Sequence, residues 1–214
     1  MIRNLIKFII ILSLACLVIG GGVAALYGLY RGDIERRELA IKEQAIQDVC
    51  PEGAKVDVEH PLTGTSLAAD AVYVARDPSG LTVAYVAQGE AQGYSSVIKV
   101  MVGASAEDFS VIRVVVLAQQ ETPGLGATVA ETRSTWTLWQ KLFGSSKPEE
   151  WVNTFLDQFR GKRAENFSEI HGITAATITS TATKRAVEQA LERIRDAVEK
   201  TRLAATRRGA GHPE

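Results

Sequence analysis

Residues 172–181 read Gly-Ile-Thr-Ala-Ala-Thr-Ile-Thr-Ser-Thr. They stand directly before an apolar stripe of Val187, Ala190, Leu191, Ile194, Ala197 and Val198 at helical spacing, which predicts a helix over residues 181–204. Hydroxyl side chains at a helix start can do two things. They can cap the unpaired N–H groups of the first turn, for which Thr179, Ser180 and Thr181 are placed. They can also border a phosphate, which the same N–H groups and the helix dipole attract. A second stretch, Gln119-Gln120-Glu121-Thr122-Pro123-Gly124-Leu125-Gly126, leaves an apolar strand and holds two glycines and a proline. It reads either as a tight turn between elements or as a loop whose backbone approaches a ligand closely.

Other chemistries find little support. His60, His171 and His212 show no metal-ligand spacing, and Cys16 and Cys50 form no CxxC pair. Cys16 lies inside an apolar run and Cys50 far outside it, so no disulfide between them is expected. There is no P-loop, GxSxG or GxGxxG pattern. The formal net charge is −1, and no polybasic run exceeds Arg207-Arg208, so nucleic acid is not an expected partner. No catalytic residue and no metal ligand is assigned.

The elements that must position these stretches follow from patterning. From Ala71 to Ala118 the sequence predicts a β-meander of four strands, at 71–75, 81–87, 96–103 and 110–117. The first pair is joined by the turn Asp77-Pro78-Ser79-Gly80. Val114-Val115-Val116-Leu117 is unbroken rather than alternating, so this strand is expected to be covered on both faces. Residues 129–143 read as a helix carrying Trp136, Trp139 and Phe143. Residues 149–159 read as a shorter one with Trp151, Phe155 and Phe159 at i, i+4 and i+8. The fold class is α+β: an N-terminal transmembrane helix, then an antiparallel sheet domain with flanking helices.

Residues 8–30 contain no charge, and as a helix these 23 residues span roughly 35 Å, enough for a bilayer core. Lys7 and Arg31 bracket the run, and Tyr27 and Tyr30 stand at an interface position. A cleaved signal peptide would have a shorter apolar region with a small-residue cleavage site, whereas charged, helix-forming residues follow here, so a retained anchor in contact with lipid is expected. The expected organisation is a cytoplasmic N-terminus and anchor (1–32), a connecting helix (33–50), a ligand-binding domain (51–204) and a disordered tail (205–214). An N-terminus this short is expected to stay in the cytoplasm, which would place the main domain on the outer, periplasmic side.

Taken together and in order, the two stretches resemble the FMN-binding domain of the Rnf complex G subunit and the related C subunit of the Na⁺-translocating NADH:quinone reductase. The family signature is similar to Ser/Thr-Gly-Ala-Thr-x-Thr-Ser, matched here by Thr174-Ala175-Ala176-Thr177-Ile178-Thr179-Ser180. The Glu-Thr-Pro-Gly-Leu-Gly loop is matched at 121–126, Gly93-Tyr94 followed by Val97-Ile98-Lys99-Val100 resembles a further stretch, and residues 151–162 another. Two positions differ: the family commonly has Gly where Ala175 stands and Asp where His171 stands, and both belong to the pattern read by the flavin transferase.

The resemblance implies FMN held by a phosphoester on Thr177. Thr174, Ala176, Thr179 and Ser180 would surround it, and Glu121, Thr122, Gly124, Leu125 and Gly126 would lie against the flavin. It implies maturation by a flavin transferase. It also implies an electron relay in an inner-membrane, ion-translocating ferredoxin:NAD oxidoreductase, with iron–sulfur membrane subunits as donor and another flavin subunit as acceptor. Such a subunit is not a stand-alone catalyst. The alternatives are the C-type subunit of the quinone reductase and, in a different class, a non-redox membrane-anchored scaffold whose hydroxyls merely cap a helix.

Overall fold

The structure, a computed structural model, describes residues 2–134 and 151–209. The chain divides into two compact units, Met1–Ile41 and Lys42–Glu214.

The first unit belongs to helix α1, which runs without interruption over Ile2–Asp48. Its apolar side chains, among them Phe8, Leu12, Leu17, Ile19 and Leu29, are exposed on all sides. A helix segment that is apolar all round suits an apolar surrounding. This one is long and apolar enough to cross a membrane. The expected connecting helix at 33–50 is therefore the continuation of α1, ended by Pro51 and by Gly53 at φ +81°.

The second unit is built on a five-stranded antiparallel meander in the order β1 (Lys55–Val56), β2 (Val72–Arg76), β3 (Thr82–Gln92), β4 (Val97–Ser105), β5 (Val111–Ala118). The four long strands are those the patterning predicts, and β1 is too short to leave a period. The β2–β3 turn closes because the Asp77 carboxylate accepts the N–H groups of Ser79 (2.9 Å) and Leu81 (3.0 Å), with Gly80 at φ +87°.

Both faces of the sheet are covered. On one, helix α2 (Thr177–Gly209) packs Val187, Leu191 and Ile194 against Val100, Val102 and Val114. On the other, the end of α1 and the residue after it pack Ala45, Ile46 and Val49 against Tyr73, Val86 and Met101. Val114 and Val116 fall on the first face and Val115 and Leu117 on the second, which accounts for the unbroken apolar run in β5. Two glycines make these approaches possible. A Cβ on Gly89 would collide with the Ala186 carbonyl of α2, and one on Gly103 with the Val49 carbonyl just after α1.

Three expectations need correction. Residues 130–134 are not helical: a 3₁₀ turn (Gly126–Val129) is followed by β6 (Arg133–Ser134), which pairs with β7 (Trp151–Val152). The remainder of the expected helix, with Trp136, Trp139 and Phe143, lies outside the described residues. Residues 151–159 are not one helix either, because Asn153 breaks them. Its side-chain oxygen accepts the N–H groups of Phe155 (3.1 Å) and Leu156 (2.9 Å), and its amide donates to the Val129 carbonyl (2.8 Å). Only Leu156–Phe159 forms a 3₁₀ turn. The i, i+4 pair survives as packing: Phe159 meets Phe155 and Phe167 edge-on, with ring centroids 5.7 and 5.1 Å apart. Finally, α2 begins four residues earlier than expected and is described to Gly209; residues 210–214 lie outside the described ones.

Because the obstacle at Gly89 is helix backbone rather than a flexible side chain, Gly89→Ala is expected to lower the stability of the sheet domain by about 1–3 kcal/mol. The change would be read as a fall in the urea midpoint of the full chain in detergent.

Candidate functional site

The site is built where β3 hands over to β4, where β5 ends, and where α2 begins. Its centre is Glu121, 6% exposed, in the loop after β5. One carboxylate oxygen accepts the backbone N–H groups of Ser95 and Ser96, both at 3.0 Å, and the Ser96 hydroxyl at 3.3 Å. The other accepts the Thr179 hydroxyl at 2.7 Å. Three segments distant in sequence are thus tied to one side chain. Two glycines leave room for it: a Cβ on Gly93 would fall 2.6 Å from one Glu121 oxygen, and a Cβ on Gly126 would fall 2.7 Å from the other and 2.6 Å from the Thr179 hydroxyl. Gly126 therefore admits the carboxylate–hydroxyl bond, while Gly124, at φ +73°, serves the turn in which the Thr122 carbonyl accepts Leu125 N–H (3.1 Å) and Ala127 N–H (3.2 Å).

Burial raises the pKa of Glu121, but the Thr179 hydroxyl and the donors from Ser96 and Ser95 lower it by more, leaving it below the ordinary carboxylate value. The carboxylate is therefore ionised at neutral pH, with its charge shared among hydrogen bonds.

The hydroxyl run is divided by environment. Thr179 is buried and donates to Glu121. Ser180, also buried, accepts Ile173 N–H at 2.9 Å, reaching backward across the helix start. Thr183 donates to the Thr179 carbonyl at 2.8 Å. The expected capping by Thr179, Ser180 or Thr181 does not occur, because these residues lie inside the helix and the first two are engaged in tertiary bonds. Thr177 is the first residue of α2 and is exposed. Among the described residues, the N–H groups of Thr177, Ile178 and Thr179 have no protein acceptor, as a helix start dictates. Ala175, two residues before the helix, has φ +64°, in the left-handed region that glycine adopts without strain.

These segments enclose a cleft of about 360 Å³. Of the residues singled out from sequence, Glu121, Thr122, Leu125, Gly126, Ala176, Thr177 and Thr179 line it. Thr174, Ser180 and Gly124 do not: Ser180 is packed behind the helix start, Gly124 shapes the turn, and Thr174 is exposed to one side. Tyr94 and Ile178 were not singled out as site residues, yet both line the cleft and are exposed at its rim, at 71% and 56%. The signal for Tyr94 was its place beside Gly93, at the tip between two strands. Ile178 had none, since an apolar residue at a helix start reads as core. Neither cysteine contributes: Cys50 is packed against the α1 end, where burial pushes its thiol up to about 11, and Cys16 lies in the apolar part of α1.

A hydroxyl at a helix start facing an apolar-rimmed cleft suits a phosphorylated ligand with a flat, apolar body. Residues 93–192, which contain every segment of this site, match the FMN-binding domain family. The chain is 30% identical over 226 aligned positions to the G subunit of the ion-translocating oxidoreductase complex of Pseudomonas aeruginosa (strain UCBPP-PA14), covering 98% of this chain and 97% of that protein. It is 24% identical over 192 residues to the G subunit of the proton-translocating ferredoxin:NAD(+) oxidoreductase complex of Clostridium ljungdahlii, covering 86% of this chain and 88% of that one. The crystal structure of Shewanella oneidensis NqrC aligns over 65% of this chain and 64% of its own at TM-score 0.41 and 20% identity. The chain belongs to the family of G subunits of ion-translocating oxidoreductase complexes, and it carries an FMN-binding domain.

Two outcomes follow from this geometry. Left-handed alanine is disfavoured by about 1–2 kcal/mol. The extra freedom glycine brings to the unfolded chain offsets about 0.4–1 kcal/mol of any gain. Ala175→Gly is therefore expected to stabilise the domain by about 0.5–1 kcal/mol, seen as a higher urea midpoint at unchanged slope. Glu121→Ala strands buried donors and is expected to destabilise by about 2–3 kcal/mol at pH 7. Because the folded-state pKa of Glu121 is depressed, its contribution is present above the unfolded value and lost as pH falls through the folded one. The gap between the two proteins should therefore narrow below about pH 4.3. A gap constant from pH 7 to pH 3 would contradict the assignment.

Proposed function

We propose that this chain is the membrane-anchored electron-relay subunit of an Rnf-type ion-translocating oxidoreductase, carrying one FMN in a phosphoester on Thr177. The observation that carries the site is the sorting of hydroxyls. Three aliphatic hydroxyls line the cleft, on Thr122, Thr177 and Thr179. Thr179 is committed to Glu121, and Thr122 lies in the loop. Thr177 alone among them is both exposed and at the start of the 33-residue helix α2, where its own N–H and those of Ile178 and Thr179 would receive a phosphate.

The residues present fit the cofactor. The helix start would hold the phosphate, and Tyr94, Leu125 and Ile178 give an apolar rim for the isoalloxazine ring. FMN supplies one- and two-electron transfer; the chain supplies attachment, orientation and the electrostatic surroundings. The three rim residues are 71%, 44% and 56% exposed, so a ring held there keeps an edge open toward donor and acceptor. A threonine hydroxyl is a weak nucleophile at neutral pH, so the phosphoester requires a separate flavin transferase.

The relatives named as G subunits support the G-type reading over the C-type one, and their complexes imply other membrane subunits as partners. In that setting an iron–sulfur membrane subunit donates and another flavin subunit accepts. The helix Ile6–Asp48 supports a single-pass anchor, with the domain on the periplasmic side.

On co-expression with a flavin transferase, the intact mass should rise by one FMN residue and the band should fluoresce in the gel. Thr177→Ala should abolish both, while Thr174→Ala retains them. A modified Thr177→Ala chain would overturn the attachment site, and an unmodified wild-type chain would overturn covalent binding. A reporter that functions only in the periplasm, fused after Glu214, should be active.

A further inference from the structure

Of the ten residues that line the cleft, Glu121 is the charged one; no lysine, arginine or histidine lines it among the described residues. The residue is buried and its carboxylate is fixed by donors from two separate segments. A charge in that position is screened little by solvent and salt, so it acts on whatever occupies the cleft. Reduction adds electrons to a flavin, and a neighbouring negative charge disfavours the reduced ring relative to the oxidised one. We propose that Glu121 is an electrostatic tuning residue, holding the reduction potential of the flavin at Thr177 below the value the same cleft would give with a neutral side chain. The inference rests on the proposed function.

The architecture provides a clean way to remove the charge. In Glu121→Gln the amide oxygen can still accept the Ser95 and Ser96 N–H groups. The amide nitrogen can donate to Thr179, whose hydroxyl rotates from donor to acceptor. The hydrogen-bonded frame is kept while the charge is lost. Thr179→Val does the reverse: it keeps the charge, removes one of the donors that spreads it, and nearly preserves side-chain volume. A tuning charge predicts opposite signs for the two variants. A frame that merely loosens predicts the same sign for both.

The full chain in detergent, loaded by co-expression with a flavin transferase and verified by intact mass, would be titrated spectroelectrochemically at neutral pH. Glu121→Gln should favour the reduced flavin at least tenfold at fixed potential, an upward shift of about 30 mV or more for a two-electron couple. Thr179→Val should move the potential below that of the wild type. Equal potentials in wild type and Glu121→Gln, or a rise in both variants, would overturn the tuning role while leaving FMN on Thr177 intact. If Glu121→Gln carries no flavin, Thr179→Val decides: a potential below wild type supports the inference, and one at or above it overturns it. A wild-type chain without the FMN mass overturns the proposed function, and this inference with it.

Discussion

The bond from the Thr179 hydroxyl to the Glu121 carboxylate is the contact on which the site depends. It joins residues 58 positions apart in the chain, and the same carboxylate holds the tip between β3 and β4 through Ser95 and Ser96. Without it, the loop after β5, the β3–β4 tip and the start of α2 would have no common anchor, and the cleft they enclose would lose its walls. A carboxylate suits this task better than a neutral acceptor because hydrogen bonds to an ionised group are stronger, and because it can serve several donors at once. Gly93 and Gly126 are part of the same device, since either Cβ would occupy the space the carboxylate needs.

That contact is held in register by the packing of the sheet. Helix α2 lies against β3 closely enough that Gln189 accepts the Glu90 N–H at 2.8 Å, and Arg193 donates to the Gln88 carbonyl at 2.7 Å and to the Ala69 carbonyl at 2.6 Å. These side chain–backbone bonds fix α2 along its axis, which apolar packing alone does not, because a helix can slide on a smooth apolar surface at little cost. Gly89 sets the distance and the polar bonds set the register. The first turn of α2 is thereby delivered to Glu121. On the opposite face, Gly103 lets the end of α1 and the residue after it meet the sheet through Ala45, Ile46 and Val49. The element long enough to cross a membrane and the last helical turns covering that face are one continuous helix.

The meander, the membrane-length helix and the apolar stripe of α2 were legible because each is written as a local period. The two-sided burial of β5 could be read from four consecutive apolar residues. The segment 149–159 misled for a physical reason. Phe155 and Phe159 are buried and four apart, but Asn153 satisfies the backbone N–H groups of the turn with its side chain, so the spacing arises without a long helix. At the site, composition marked both stretches but could not say how their polar groups are spent. Glu121 was singled out as a residue lying against a ligand. Its own bonds to Ser95, Ser96 and Thr179 are long-range contacts that no local pattern records. Tyr94 and Ile178 escaped because their importance lies in staying exposed at a rim, and exposure of an apolar side chain leaves no mark on spacing.

The hydroxyl run shows why position outranks chemistry here. Thr177, Thr179 and Ser180 present the same functional group within four residues, and as free side chains they would be comparably unreactive. The fold separates them by partner: Thr179 faces Glu121, Ser180 turns back to Ile173, and Thr177 is left exposed at the helix start. The left-handed backbone at Ala175 belongs to the same arrangement, since it lets the chain turn into α2 with Ala176 buried and Thr177 outward. Alanine tolerates that conformation at a modest energetic penalty, whereas a β-branched residue would meet a larger one. The requirement at position 175 is therefore for a small residue rather than for glycine alone, and the geometry of the helix start persists although the residue most suited to it is absent.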